Sequence, residues 1–196
     1  MSKYDGLVTL FYEIGSLRKL QRAYNLHMLQ DVESVAEHSQ RVTMIAFFLA
    51  NEVGVDVYKT ILMAMFHDLV EARTGDLNWH QKSYAKVDEE KAMKSQLKLM
   101  GQSSKFVRQT LDEYHERKSL ESKVAKDADC LDYFLSLQEL ALQGNQEALR
   151  RIKEDSEKDI LHTDVAKELF DLIMKIKPNV WYQQDRKITH KKYKVK

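Results

Sequence analysis

Apolar residues along this chain recur mainly at spacings of three and four, and no segment alternates convincingly at period two. Leu7, Leu10, Phe11, Ile14 and Leu17 predict an amphipathic first helix over 4–20, and 21–32 reads as a loop. Ser34-Val35-Ala36-Glu37 has the form of a capping box, and Val35, Val42, Ile45, Ala46 and Leu49 carry the next helix until Gly54 stops it. Asp56 caps a third helix through Ile61, Leu62, Met65 and Phe66 to residue 72. Thr74-Gly75-Asp76 is a turn signal, and 77–86 reads as irregular. Helices follow over 87–100, from Ser103 or Ser104 to 117, and over 119–143, with Gly101 and Gly144 as stops. Asn145 and Thr163 are candidate caps for two more, the last ending before Pro178. The pattern predicts one all-α bundle of seven or eight helices over 1–178, followed by a distinct tail over 179–196.

Composition narrows the picture. With 196 residues, 43% of them hydrophobic, the chain can bury one ordinary core. Lys and Arg number 31 against 30 Asp and Glu, so a net charge of +1 gives no reason to expect nucleic acid as a partner. One Pro and six Gly are too few for a β-fold with many tight turns. The single Cys excludes an intramolecular disulfide and suits a reducing compartment, so a cytoplasmic location is expected. No run approaches the roughly 20 apolar residues of a membrane span, and no membrane partner is expected. Long apolar helices suggest a homodimer. The tail carries six Lys or Arg against Asp185 alone and reads as a solvated basic arm.

Three patches place imidazoles and carboxylates inside apolar sequence. His38 lies in ESVAEHS, near a helix start. His67-Asp68 ends the apolar run from Ile61 to Phe66, and Glu71 follows at helical spacing, so one helical face would present all three. Asp127 and Asp129 lie in VAKDADCLDYF, within the long apolar helix. A carboxylate facing a core is expensive unless it is paired or bound to metal. Two imidazoles with two carboxylates suit a single divalent transition metal.

The order His … His-Asp … Asp on predicted helices resembles the HD-domain phosphohydrolases. ESVAEHS, HDLVEARTGDL and KDADCLDYFLSLQELALQGN are similar to the branch of 5′-deoxynucleotidases that hydrolyse nucleoside monophosphates. The resemblance implies an all-α enzyme with one divalent cation per chain (Mn, Co, Zn, Fe, Ni or Mg). It implies His38, His67, Asp68 and Asp129 as metal ligands, and Glu71 as the catalytic carboxylate. Arg22 and Asp76 would line the substrate site, and Asp76 would accept from a sugar hydroxyl or assist the leaving oxygen. The partner would be a nucleoside 5′-monophosphate.

Elementary chemistry agrees with these roles. Four protein ligands leave room on a six-coordinate ion for water and a phosphate oxygen, Glu71 would orient or deprotonate that water, and the Arg22 fork suits phosphate. Asp127, about 200° round the helix from Asp129, would be solvated or ion-paired. Some members of the branch follow the arginine with tryptophan. Here Ala23-Tyr24 stands in that place, which implies only modest exclusion of a 2′-hydroxyl. The competing readings are a triphosphohydrolase on deoxynucleoside triphosphates, a phosphodiesterase on a cyclic or dinucleotide substrate, and a nucleotide-binding module without turnover.

Overall fold

The computed structural model describes residues 2–154 and 158–183. Most of the basic tail, including all six of its cationic residues, lies outside the described residues. Eight helices of nine or more residues make the bundle: α1 (Asp5–Ser16), α3 (Val35–Val53), α4 (Val57–Phe66), α7 (Glu89–Leu97), α8 (Ser104–Glu116), α9 (Leu120–Leu142), α10 (Gln146–Glu154) and α11 (Asp164–Ile173). Three single turns lie between them: α2 (Asn25–Met28), α5 (Glu71–Thr74) and α6 (Trp79–Lys82). The all-α expectation holds, and no strand occurs among the described residues.

Local chemistry sets the boundaries. Ser34 and Glu37 close the expected capping box, and Gly54 ends α3 at a φ of 78°, where a side chain would be strained. Asp56, Ser119 and Thr163 cap α4, α9 and α11 by accepting backbone N–H groups. Two segments expected to be irregular contain helical turns. Asn25–Met28 forms one, and Asn78 with Gln81 forms a second capping box that starts α6. The sequence pattern missed both because a single turn is too short to show a period.

The third helix departs more consequentially. It stops at Phe66, not at residue 72. The backbone then tightens: Leu69, Glu71, Ala72 and Arg73 each donate to the carbonyl three residues earlier, at 3.0–3.3 Å. His67, Asp68 and Glu71 therefore do not share one continuous helical face, and the tightened turn carries them.

Two clusters make up most of the core, and a small third joins Met63, Tyr114 and Ala125. The larger joins Val42, Ala46, Leu49 and Ala50 of α3 to Val124, Ala128, Leu131, Phe134 and Leu137 of α9, with α10 and α11 closing it. The smaller gathers Leu10, Leu17, Val35, Leu69, Met93, Leu97, Val107 and Leu111. Helix α9 packs against α3, α4, α8, α10 and α11. A polar residue on its inner face is thus held by rigid neighbours.

Candidate metal centre

His38, His67, Asp68 and Asp129 converge from α3, the end of α4 and α9. The Nε2 of His38 lies 3.3 Å from Nε2 of His67, 3.4 Å from Oδ2 of Asp68 and 3.2 Å from Oδ1 of Asp129. The Nε2 of His67 lies 3.1 Å from Asp68 Oδ2 and 3.9 Å from Asp129 Oδ1. Donors at bonds of about 2.1 Å from one ion are separated by roughly 3.0 Å in an octahedron and 3.4 Å in a tetrahedron. His38 stands at such edges to His67, Asp68 and Asp129, and His67 to Asp68, while His67 and Asp129 are further apart.

Both imidazoles are aimed by their other nitrogen. His38 Nδ1 donates to Asp132 Oδ2 at 2.6 Å, and His67 Nδ1 donates to the Ala64 carbonyl at 2.8 Å. That carbonyl lies in the last turn of α4, where helical acceptors have no intrahelical partner. Each ring is thereby held in the tautomer that turns Nε2 to the centre. Asp132 is fully buried and also accepts from Arg41, which continues to Glu139 at 2.9 Å and Ser136 at 2.5 Å. The sequence reading missed Asp132 and Arg41. Their signal was spacing, because each lies three residues beyond a candidate ligand on its own helix.

Burial alone would lower the His38 pKa, but Asp129, Asp132 and Asp68 outweigh it and raise it to about 11. A proton there occupies the place of a cation. Burial would raise Asp68 and Asp129, yet the facing histidines, Arg22 and Lys126 hold both well below the ordinary carboxylate range. The donor set and the spacing around His38 fit one divalent cation. A second grouping of Glu33, His38 and Asp132 fits less well. Glu33 already accepts from Tyr24 and Ser136, and both Asp132 oxygens are taken.

Arg22 and Asp76 reach the centre through loops. An antiparallel bridge between Gln21 and Ser34 pins the chain to the start of α3, with Arg22 N donating to Glu33 O at 3.1 Å. Ala23 N donates to Asp76 Oδ2 at 3.0 Å, tying this segment to the turn after α5. Arg22 Nη1 then lies 2.9 Å from Asp68 Oδ2, 3.1 Å from Asp76 Oδ2 and 3.9 Å from Glu71 Oε2. Glu71 Oε2 is buried without a hydrogen-bond partner. Burial first, then the charges of Asp68 and Asp76, push Glu71 up to about 9.

Of the two alternatives expected for Asp127, solvated or ion-paired, the first fails: it is fully buried, and its two oxygens accept from the backbone and side chains of His162 and Thr163 at 2.7–3.0 Å. It anchors the start of α11 on the face of α9 turned away from Asp129.

A groove of about 580 Å³ opens beside Arg22 and Asp76. Tyr24, Trp79, Tyr133 and Phe134 supply its aromatic walls, and Lys126 also lines it. Tyr24 is buried, donates its hydroxyl to Glu33 and packs edge-on against Tyr133.

A family model described as HD domain matches residues 14–173. The chain belongs to the HD-domain family. The expectation of an HD-domain metal-dependent phosphohydrolase is met. A 5′-deoxynucleotidase of Klebsiella pneumoniae is 34% identical over 153 residues, covering 71% of this chain and 76% of the relative. A 5′-deoxynucleotidase of Dictyostelium discoideum is 29% identical over 150 residues, covering 69% and 78%. Among solved structures, a predicted coding region from Archaeoglobus fulgidus is 31% identical, with a TM-score of 0.60 over 90% of this chain and 99% of that chain. Among the described residues, no helix is long and apolar enough to cross a membrane.

Proposed function

We propose that this HD domain is a 5′-nucleotidase that releases phosphate from deoxynucleoside and nucleoside 5′-monophosphates. One observation carries the reading. Arg22, 2.9 Å from the candidate ligand Asp68 and 3.9 Å from Glu71 Oε2, also lines a groove that Asp76, Lys126 and the rings of Tyr24, Trp79 and Tyr133 share. That arrangement suits a phosphate at the polar end with a sugar and base beyond it. The relatives named 5′-deoxynucleotidase support the same substrate class.

In this reading His38, His67, Asp68 and Asp129 would hold one divalent cation, which would supply acidification of a water and charge neutralisation of the phosphate. Arg22 holds the phosphoryl oxygens with its planar fork while Asp68 and Asp76 hold Arg22. Glu71 Oε2 takes the proton of the attacking water as the new P–O bond forms and the bond to O5′ breaks. Asp76 accepts from a sugar hydroxyl or assists the departure of O5′.

The Tyr24 hydroxyl is already committed to Glu33, so the tyrosine presents its ring rather than a donor. With Ala23 beside Arg22, a 2′-hydroxyl meets little steric exclusion. The deoxy preference is therefore modest, within about 1–2 kcal/mol, the scale of small steric differences in pockets.

The test is product analysis on mono-, tri- and cyclic nucleotides with several divalent metals. Orthophosphate from monophosphates is expected. Tripolyphosphate from a deoxynucleoside triphosphate, or an opened cyclic ester, would replace this reading with the corresponding HD reaction. A kcat/KM ratio of dAMP to AMP above about a thousandfold would overturn the sugar argument.

A further inference from the structure

The nucleotidase reading assigns Arg22 to the phosphate and leaves Lys126 without a role. Lys126 sits on α9 one turn before Asp129 and lines the same groove as Arg22. Its Nζ lies 2.7 Å from Asp129 Oδ2, while Oδ1 of that carboxylate faces His38 Nε2 at 3.2 Å. The ammonium is therefore one carboxylate width from the candidate metal centre. It carries three donors, and among the described residues Asp129 occupies one of them.

Its environment is unlike that of the lysines on outer helix faces. Its ammonium is paired with a candidate ligand carboxylate and only partly exposed. Arg22 is held in a related way, tethered to Asp68. Each candidate aspartate ligand thus keeps a cation at the mouth of the groove. Two fixed cations suit a terminal phosphoryl dianion, whose exposed oxygens accept from both. A phosphodiester presents one charge fewer and blocks one of those oxygens.

We propose that Lys126 is a phosphate-binding residue, the second arm of a clamp with Arg22 that selects phosphomonoesters. The inference rests on the nucleotidase reading for its substrate but not for its test. The alternative is that Lys126 only holds Asp129 in place as a positioning residue.

The experiment compares wild type, Lys126→Gln and Lys126→Arg in the full chain. Metal content, inorganic phosphate binding to the metal-loaded protein, and kcat/KM for dAMP are measured at increasing metal concentration. Lys126→Gln is expected to keep its metal and to bind phosphate about 10–100-fold more weakly, the size of one hydrogen bond to a charged group. Its kcat/KM should fall by a similar factor that added metal does not recover, and Lys126→Arg should recover part of it.

Loss of metal, or activity restored by excess metal, would make Lys126 a positioning residue and overturn the proposal. Unchanged phosphate binding would overturn it too. If wild type hydrolyses no monophosphate, the nucleotidase reading fails, and phosphate binding alone still decides the role of Lys126.

Discussion

Replacing Asp132 by Asn tests whether the buried network behind His38 governs the metal site. Asn keeps the size of the side chain and one acceptor, but removes the charge that faces His38 Nδ1 at 2.6 Å and Arg41 Nε. The Asp132 side chain is fully buried, so water cannot replace what is lost. Partners that orient a ligating imidazole are commonly worth 10–100-fold in metal affinity, about 1.4–2.7 kcal/mol. Asp132 also balances a half-buried arginine, so Asp132→Asn should lie towards the upper part of that range. Titration of the metal-stripped protein with a divalent ion, followed by calorimetry, should show the weakening. Saturating metal should restore most of the turnover, because no group proposed to touch substrate has changed. Asp132→Ala should also destabilise the fold by about 1–3 kcal/mol, since the buried His38 Nδ1 loses its acceptor while Arg41 keeps Glu139 and Ser136. An Asp132→Asn protein with wild-type metal affinity would refute the argument that this carboxylate aims His38.

Other expectations concern the two aspartates of α9 and the metal itself. Asp129→Ala should lose both metal and turnover. Asp127→Ala should keep its metal but unfold at lower denaturant, by about 2–4 kcal/mol, because buried donors of His162 and Thr163 lose their acceptor. Metal analysis with urea unfolding separates them, and the opposite pairing of effects would show that the ligand is misassigned. Chelation should lower the melting temperature of wild type, since an ion that binds only the folded state adds its binding free energy to folding. An unchanged melting temperature would argue against a metal held by the native site.

The sequence made the bundle legible because burial leaves a period. The core faces of α3 and α9 read directly from Val42, Ala46, Leu49, Val124, Leu131 and Phe134. The resemblance to a known family added the four candidate ligands, which a plain reading leaves as a set including Asp127. Two things were hidden. The break after Phe66 has no glycine or proline to announce it. The pairing of Asp132 with His38 is a contact between residues 94 apart in sequence, which local spacing cannot reveal. The burial of Asp127 was missed for a related reason: helical geometry places it opposite Asp129, but only the packing of α11 shows that the opposite side is also core.

Glu71 joins the proposed function to stability. Its pKa in the metal-free fold is raised from 4.5 to about 9, chiefly by burial and then by Asp68 and Asp76. A carboxyl that binds its proton more tightly when folded makes the fold lose stability as pH rises from the unfolded value through the folded one. In metal-stripped protein that window runs from about 4.5 to 9, at up to about 1.4 kcal/mol per pH unit. His38 adds a slope of the same sign above 6.5, because its folded value is raised to about 11. Glu71→Gln removes the first slope and leaves the second. Chelated Glu71→Gln should therefore gain stability over chelated wild type, little at pH 5 and most near pH 9, as read by urea midpoints. The same variant, loaded with metal, should bind phosphate normally and lose about 10²–10⁴-fold in turnover, the usual worth of a general base. A Glu71→Gln enzyme that turned over normally would remove Glu71 from the chemistry. A stability difference that did not grow with pH would show that Glu71 is charged in the metal-free fold, contrary to its burial and its unpartnered Oε2. Both outcomes as expected would mean that the same buried carboxylate weakens the metal-free fold and supplies the base for hydrolysis.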